Sequence, residues 1–232
     1  MTTIEAPRSA EQTDPKKTGI IDSDVHPNFV NGIRDLTPYM TETWRNRLGV
    51  SGDDWAKGMA AAQFTLPLDY LYINAAGAYR EDAARPGMPP ATDPDFTAQH
   101  LLDKHGIYRA VLLAGQCLGI GAMPDGMVAA TIASAYNEWM CERWLQNDVR
   151  WRGALVVAPQ DPQAAVAEID RVAKRDGIVA VFMPLGEILM GEKHYWPIYE
   201  ACARHELPLI VHPSGCENVF AKAPRMAGTP TF

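Results

Sequence analysis

The chain carries no basic cluster longer than a pair such as Lys16-Lys17, and its 21 lysines and arginines are outnumbered by 28 acidic residues, for a net charge of −7. That balance excludes a surface built for nucleic acid or for an anionic membrane. Cysteine is scarce: Cys117, Cys141, Cys202 and Cys216 show no C-x-x-C spacing and lie too far apart for a zinc ribbon. They read as reduced intracellular thiols, three of them in the core. Met1 to Thr18 has no basic start followed by an apolar stretch, so it reads as a polar, disordered tail and not a secretory leader. The most apolar window, Ala110 to Pro124, is interrupted by Gln116 and three glycines and falls short of the ~20 residues a spanning helix needs. These absences place the protein in the cytoplasm, away from membranes. No G-x-G-x-x-G follows the first apolar stretch, which argues against a dinucleotide-binding doubly wound sheet.

What is present is an ordinary globular composition, 47% hydrophobic and 21% charged over 232 residues, enough for one α/β barrel domain. A first strand is expected over Gly19 to Asp24. Residues 27–94 follow with mixed signals: a helix over Tyr39 to Leu48 stopped by Gly49, then aromatic and Pro/Gly-rich segments that read as an inserted lid or binding loop. From Asp95 the pattern turns regular. Helices are expected over Asp95 to His105, Met127 to Gln146, Asp161 to Arg175 and Tyr195 to His205. Between them lie continuous apolar runs at Arg109 to Ala114, Trp151 to Ala158, Ile178 to Met183 and Leu207 to Val211, the mark of strands buried on both faces. Strict alternation of strand and helix implies right-handed crossovers and a parallel sheet.

The chemistry concentrates at Asp22-Ser23-Asp24-Val25-His26. In a strand, Asp22, Asp24 and His26 share one face. Two carboxylates and an imidazole on a buried face call for neutralisation, which a divalent cation supplies. A carboxylate oxygen with an imidazole nitrogen suits zinc, manganese or iron. The plainer reading has Asp24 and His26 cap the strand before Pro27. His212 ends the fifth expected strand, so acid and histidine fall at the C-terminal ends of two different strands, where barrel enzymes keep their sites. His100, His105 and His205 lie in helices or at their ends and read as surface or capping residues.

Five pieces carry a wider resemblance: Ile20 to His26, Gly106 to Leu112, Arg152 to Leu155 with Asp161-Pro162, Tyr199 to Ala203, and Leu209 to Pro213. In this order and spacing they resemble the amidohydrolase superfamily, within it the branch of aminocarboxymuconate-semialdehyde decarboxylase. The resemblance implies a metal-binding (β/α)8 TIM-type barrel occupying residues 19–232, incomplete at its C-terminus and represented by about its first five β/α units. It implies Asp24, His26 and His212 as metal ligands, with His212 also touching substrate and Asp22 supporting the catalytic site from two residues deeper. Zinc is the first expectation for the metal, manganese or iron the alternatives.

The resemblance also exposes two departures. Pro184 stands where the decarboxylases carry a metal-binding histidine at the end of the fourth strand, with Glu187 and His194 as nearby substitutes and Glu217 within reach of the His212 turn. The acid that relatives bring from their last strand has no counterpart, so the chain reads as the N-terminal part of a longer barrel or as one paired with another chain, a second copy included. The function implied first is hydrolysis of a small carboxylate or aromatic substrate by metal-activated water, whose pKa falls to about 7. Non-oxidative decarboxylation is the alternative, followed by a catalytically silent subunit and by a di-metal oxygenase.

Overall fold

The apolar runs pair edge to edge as parallel strands. In a computed structural model, which describes residues 19–50, 81–186 and 188–212, they form β1 (Ile20–Val25), β2 (Ile107–Leu112), β3 (Trp151–Val156), β4 (Ile178–Pro184) and β5 (Leu209–His212). The expected tail over 1–18, residues 51–80 of the expected lid, Glu187, Cys216 and Glu217 lie outside the described residues. The strand order is β1-β2-β3-β4-β5, each strand hydrogen-bonded to the next in the chain. Because the order never reverses, the sheet has no switch point of the doubly wound kind and curls as half of a TIM-type barrel.

Local sequence explains where the helices begin. Asp161 turns its carboxylate back to accept from the Ala164 N–H at 3.0 Å, and Pro162 opens α4 (Pro162–Val172) where a missing N–H costs nothing. Asp93 caps α2 (Pro94–Thr97) through the Phe96 N–H in the same way. Asp125 accepts from both Met127 and Val128 N–H groups at the start of α3 (Gly126–Met140). Pro197 lies in the first turn of α5 (Trp196–Arg204). Gly106 and Gly177, with φ of 64° and 86°, turn the chain through the left-handed region just before β2 and β4.

Three expectations need correction. The helix expected over Tyr39 to Leu48 is shorter, α1 (Glu42–Arg47), because Tyr39 ends a separate 3-10 helix over Gly32–Tyr39, Met40 is extended and Thr41 accepts from the Trp44 N–H to start the new helix. The helices expected over Asp95 to His105 and Met127 to Gln146 form, but each changes to π-type hydrogen bonding, over Ala98–Asp103 and Cys141–Leu145. The third concerns β1. It was expected buried, yet Ile20 and Ile21 are 58% and 62% exposed because β1 is an edge of the described sheet. Burial on both faces holds for β3 and β4, but not for β2, which has a neighbour on each side yet leaves Tyr108 exposed, nor for β5, which leaves Val211 exposed at the other edge of the described sheet.

The core lies between the sheet and α3 to α5. Trp144, Trp151 and Tyr136 are fully buried, with Trp139 and Phe29 stacked edgewise beside them. Cys117, Cys141 and Cys202 are buried and unpaired, as expected of core thiols. Among the described residues no helix is long and apolar enough to cross a membrane.

Outside this core, Arg175 grips Glu138 with two hydrogen bonds of 2.6 Å, and Arg171 adds a third contact to the same carboxylate. The Arg175 guanidinium, helped by Arg171, holds the Glu138 carboxyl below its ordinary 4.5 against a smaller opposing effect of burial. Below pH 4.5 the unfolded chain therefore binds its proton first. The stabilisation is complete above that pH and is lost as pH falls through the depressed native value. Glu138→Gln is expected to flatten the acid limb of stability, measured as urea midpoints between about pH 5 and pH 3. An unchanged slope would show that the cluster is solvated and inert.

Candidate metal centre

Two strand ends converge. His26 follows the last residue of β1, and His212 is the last residue of β5. Asp24 Oδ1 lies 2.9 Å from His26 Nε2 and 3.9 Å from His212 Nε2. The two imidazoles meet edge to face, with ring centroids 5.4 Å apart at 89°. One ligand atom from each of the three residues lies within 4.8 Å of the other two, and this is the cluster that could hold a metal ion among the described residues.

The strand is not an ideal one. The β1–β2 register shifts between Asp22 and Val25, and the Asp24 N–H donates to Asp22 Oδ1 at 3.1 Å instead of to a neighbouring strand. This local side-chain turn swings Asp24 out, leaving its side chain 58% exposed. Asp22 thus braces the backbone of Asp24 through one of its carboxylate oxygens. Exposure also weakens the premise that a buried carboxylate demanded neutralisation. The stronger electrostatic observation is at His26, where burial lowers the ring's pKa from its ordinary 6.5, with Asp24 opposing and His212 adding to the shift. The imidazole is therefore neutral, and able to ligate, to lower pH than a free histidine.

The donor set fits a divalent cation. Two imidazoles and one carboxylate are ordinary ligands for zinc, manganese and iron, and three protein ligands leave positions open for water or substrate. Tetrahedral ligands about 2.1 Å from a metal stand ~3.4 Å apart, a spacing that the observed 2.9 and 3.9 Å bracket. His26 Nδ1 is buried without a hydrogen bond of normal geometry, although the Leu113 backbone lies near enough to favour the protonated ring.

Among the described residues, the other sequence candidates, Pro184 and His194, do not join the cluster. Pro184 is in register with His212, so the fourth strand does bring its last residue to the site, but with no donor. His194 hydrogen-bonds the Pro159 carbonyl at 2.9 Å through Nε2 and packs on Tyr195. Several neighbours were not singled out from the sequence. Phe182 sets its ring 5.6 Å from that of His212. Asn28 is buried and fixes the turn after His26, donating to the Pro90 carbonyl at 2.8 Å and accepting from Gln116 at 3.1 Å. Its signal was available as a lone amide two residues past a candidate ligand. Phe182 gave none, being one apolar residue in an apolar run.

Comparison with known proteins follows the same line. A protein-family model described as amidohydrolase matches residues 21–230. A γ-resorcylate decarboxylase from a Polaromonas species is 26% identical over 121 residues, covering 49% of this chain and 37% of the relative. The crystal structure of 5-carboxyvanillate decarboxylase from Sphingomonas paucimobilis superposes with a TM-score of 0.55 at 19% identity, over 85% of this chain and 52% of that one. The same enzyme from Novosphingobium aromaticivorans, solved with manganese and 4-hydroxy-3-methoxy-5-nitrobenzoic acid, gives a TM-score of 0.52 at 18% identity, over 92% and 56%. The chain thus spans roughly half, or less, of the length of the proteins it matches.

Proposed function

Given that the chain belongs to the amidohydrolase family, we propose that it carries the metal-binding half of a non-oxidative, divalent-metal-dependent decarboxylase acting on a small aromatic acid. The observation that carries this is the approach of Asp24, His26 and His212 at the C-terminal ends of β1 and β5. Hydrolysis, the first expectation from sequence, yields to decarboxylation because the named relatives are decarboxylases. Manganese likewise takes precedence over zinc, since it accompanies the Novosphingobium neighbour.

The reaction breaks the bond between a ring carbon and its carboxylate, releases CO2 and returns one proton to that carbon, with no oxidant or reductant. A bound divalent metal supplies positive charge that orients and polarises the substrate's oxygens. The protein's own residues do the rest of the positioning. Asp24, exposed at the strand end, supplies the anionic ligand, and His26 remains neutral because it is partly buried. His212 faces both, with the Phe182 ring as an apolar wall beside it. Asp22 holds the Asp24 backbone in its turned-out conformation.

The test is CO2 release from γ-resorcylate and from 5-carboxyvanillate with Mn2+ present, against the same protein treated with chelator. Metal-dependent CO2 release from either is expected. Mn2+-loaded protein that releases none, yet hydrolyses a lactone or amide, would return the function to the hydrolytic reading.

A further inference from the structure

β2 ends in a sharp bend whose purpose is visible across the sheet. Ala114, at φ −76° and ψ 64°, has the backbone of an inverse γ-turn, closed by the Gly115 N–H on the Leu113 carbonyl at 2.8 Å. The Leu113 N–H in turn donates to the Val25 carbonyl at 2.8 Å, tying the bend to the residue immediately before His26. Gly115 is thereby carried against the imidazole. A Cβ on Gly115 would stand 2.6 Å from His26 Nδ1 and 2.9 Å from both its Cβ and Cγ. Carbon contacts do not come that close. The crowded atoms include the Cβ of His26, which the β1 backbone fixes, so the ring cannot evade a methyl group by rotation alone.

Gly115 does not owe its identity to its own backbone, because its φ is not among the left-handed values that favour glycine. The segment that follows is also held in place. Gln160 donates to the Ile120 and Met123 carbonyls, and Gly121 comes so near the Leu185 carbonyl that a Cβ there would be 2.3 Å away. The 3-10 helix over Gly115–Ala122 is therefore wedged between the end of β1 and the end of β4. A methyl group at Gly115 cannot be absorbed by moving that segment outward without breaking these contacts.

We propose that Gly115 is a positioning residue for His26: its missing side chain lets the β2 bend seat the imidazole with Nε2 facing Asp24 Oδ1. This rests on the metal-centre reading above, and the experiment separates the two. Mn2+ alone is titrated into the full chain, the Gly115→Ala variant and a Gly191→Ala control, whose added Cβ would meet nothing within 4 Å. Binding is followed by electron paramagnetic resonance of the free ion. Gly115→Ala is expected to weaken Mn2+ binding about 10- to 100-fold, the usual cost of disturbing a group that orients a ligand, while Gly191→Ala binds as the parent chain does. Should Gly115→Ala fold poorly, a stability cycle in metal-free protein still reads the contact. The loss of urea midpoint caused by Gly115→Ala must largely disappear when His26→Gly removes the opposing ring together with its Cβ. Equal losses in both backgrounds would overturn the contact, and parent-like Mn2+ binding by Gly115→Ala would overturn the positioning role. A parent chain that binds no Mn2+ would instead bring down the metal-centre reading itself, and this role with it.

Discussion

His212→Ala is expected to bind Mn2+ at least about 100-fold more weakly than the parent chain, since even removal of a group that only supports a ligand costs 10- to 100-fold. The argument is geometric. Asp24 and His26 come from one strand end, and two such donors alone make a weak site. His212 brings the third from β5, at the far edge of the described sheet, and so turns a local motif into a site that exists only when the arc has formed. The variant also removes an edge-to-face contact with His26 and a contact with Phe182, so some stability will be lost with the metal. His212→Phe separates the two effects by keeping a ring against His26 and Phe182 with no donor atom. Both variants should lose Mn2+ in competition with a chromophoric chelator, and the phenylalanine variant should lose less metal-free stability. Retained Mn2+ in His212→Phe would mean that the β5 side chain is not part of the centre.

The second large effect is expected in the frame. Asn137, fully buried on α3, accepts from the Val156 N–H at 2.8 Å and donates to the Val156 carbonyl at 2.9 Å and to Glu168 at 2.8 Å. One amide thus completes both backbone groups at the end of β3 and ties two helices to it. Asn137→Ala leaves a buried N–H and C=O unpaired at about 1–3 kcal/mol each, for a loss of roughly 2–6 kcal/mol. In a domain of this size that corresponds to a melting temperature lower by about 4–24 °C. Asn137→Asp should be at least as damaging, because it keeps the acceptor for the Val156 N–H but sets a carboxylate against the Val156 carbonyl and Glu168. A loss under about 1 kcal/mol in Asn137→Ala would show that water takes over at Val156.

How much of this could be read in advance depended on whether the signal was local. Continuous apolar runs gave β3 and β4 because a strand covered on both faces must be apolar along its length, and Asp161-Pro162 announced the start of α4 through its own side chain and ring. The pairing of Asp24 and His26 with His212 was readable through the resemblance, which supplied a long-range relation that no local pattern contains. What stayed hidden was of the same long-range kind without a resemblance to carry it. Gly115 was one of three glycines interrupting an apolar window until the bend set it against His26, and Asn137 was one unmarked position within an expected helix until β3 came to rest on it. The exposure of Ile20 and Ile21 was invisible for a different reason: an edge strand and a central strand can share one apolar sequence, and only the neighbours decide.

The most direct measurement is anomalous X-ray diffraction at the manganese edge from crystals of the chain grown with Mn2+. The account predicts one strong peak within about 2.3 Å of Asp24 Oδ1, His26 Nε2 and His212 Nε2 together. Electron density for all three side chains with no anomalous peak among them, or a peak bound elsewhere on the chain, would contradict it.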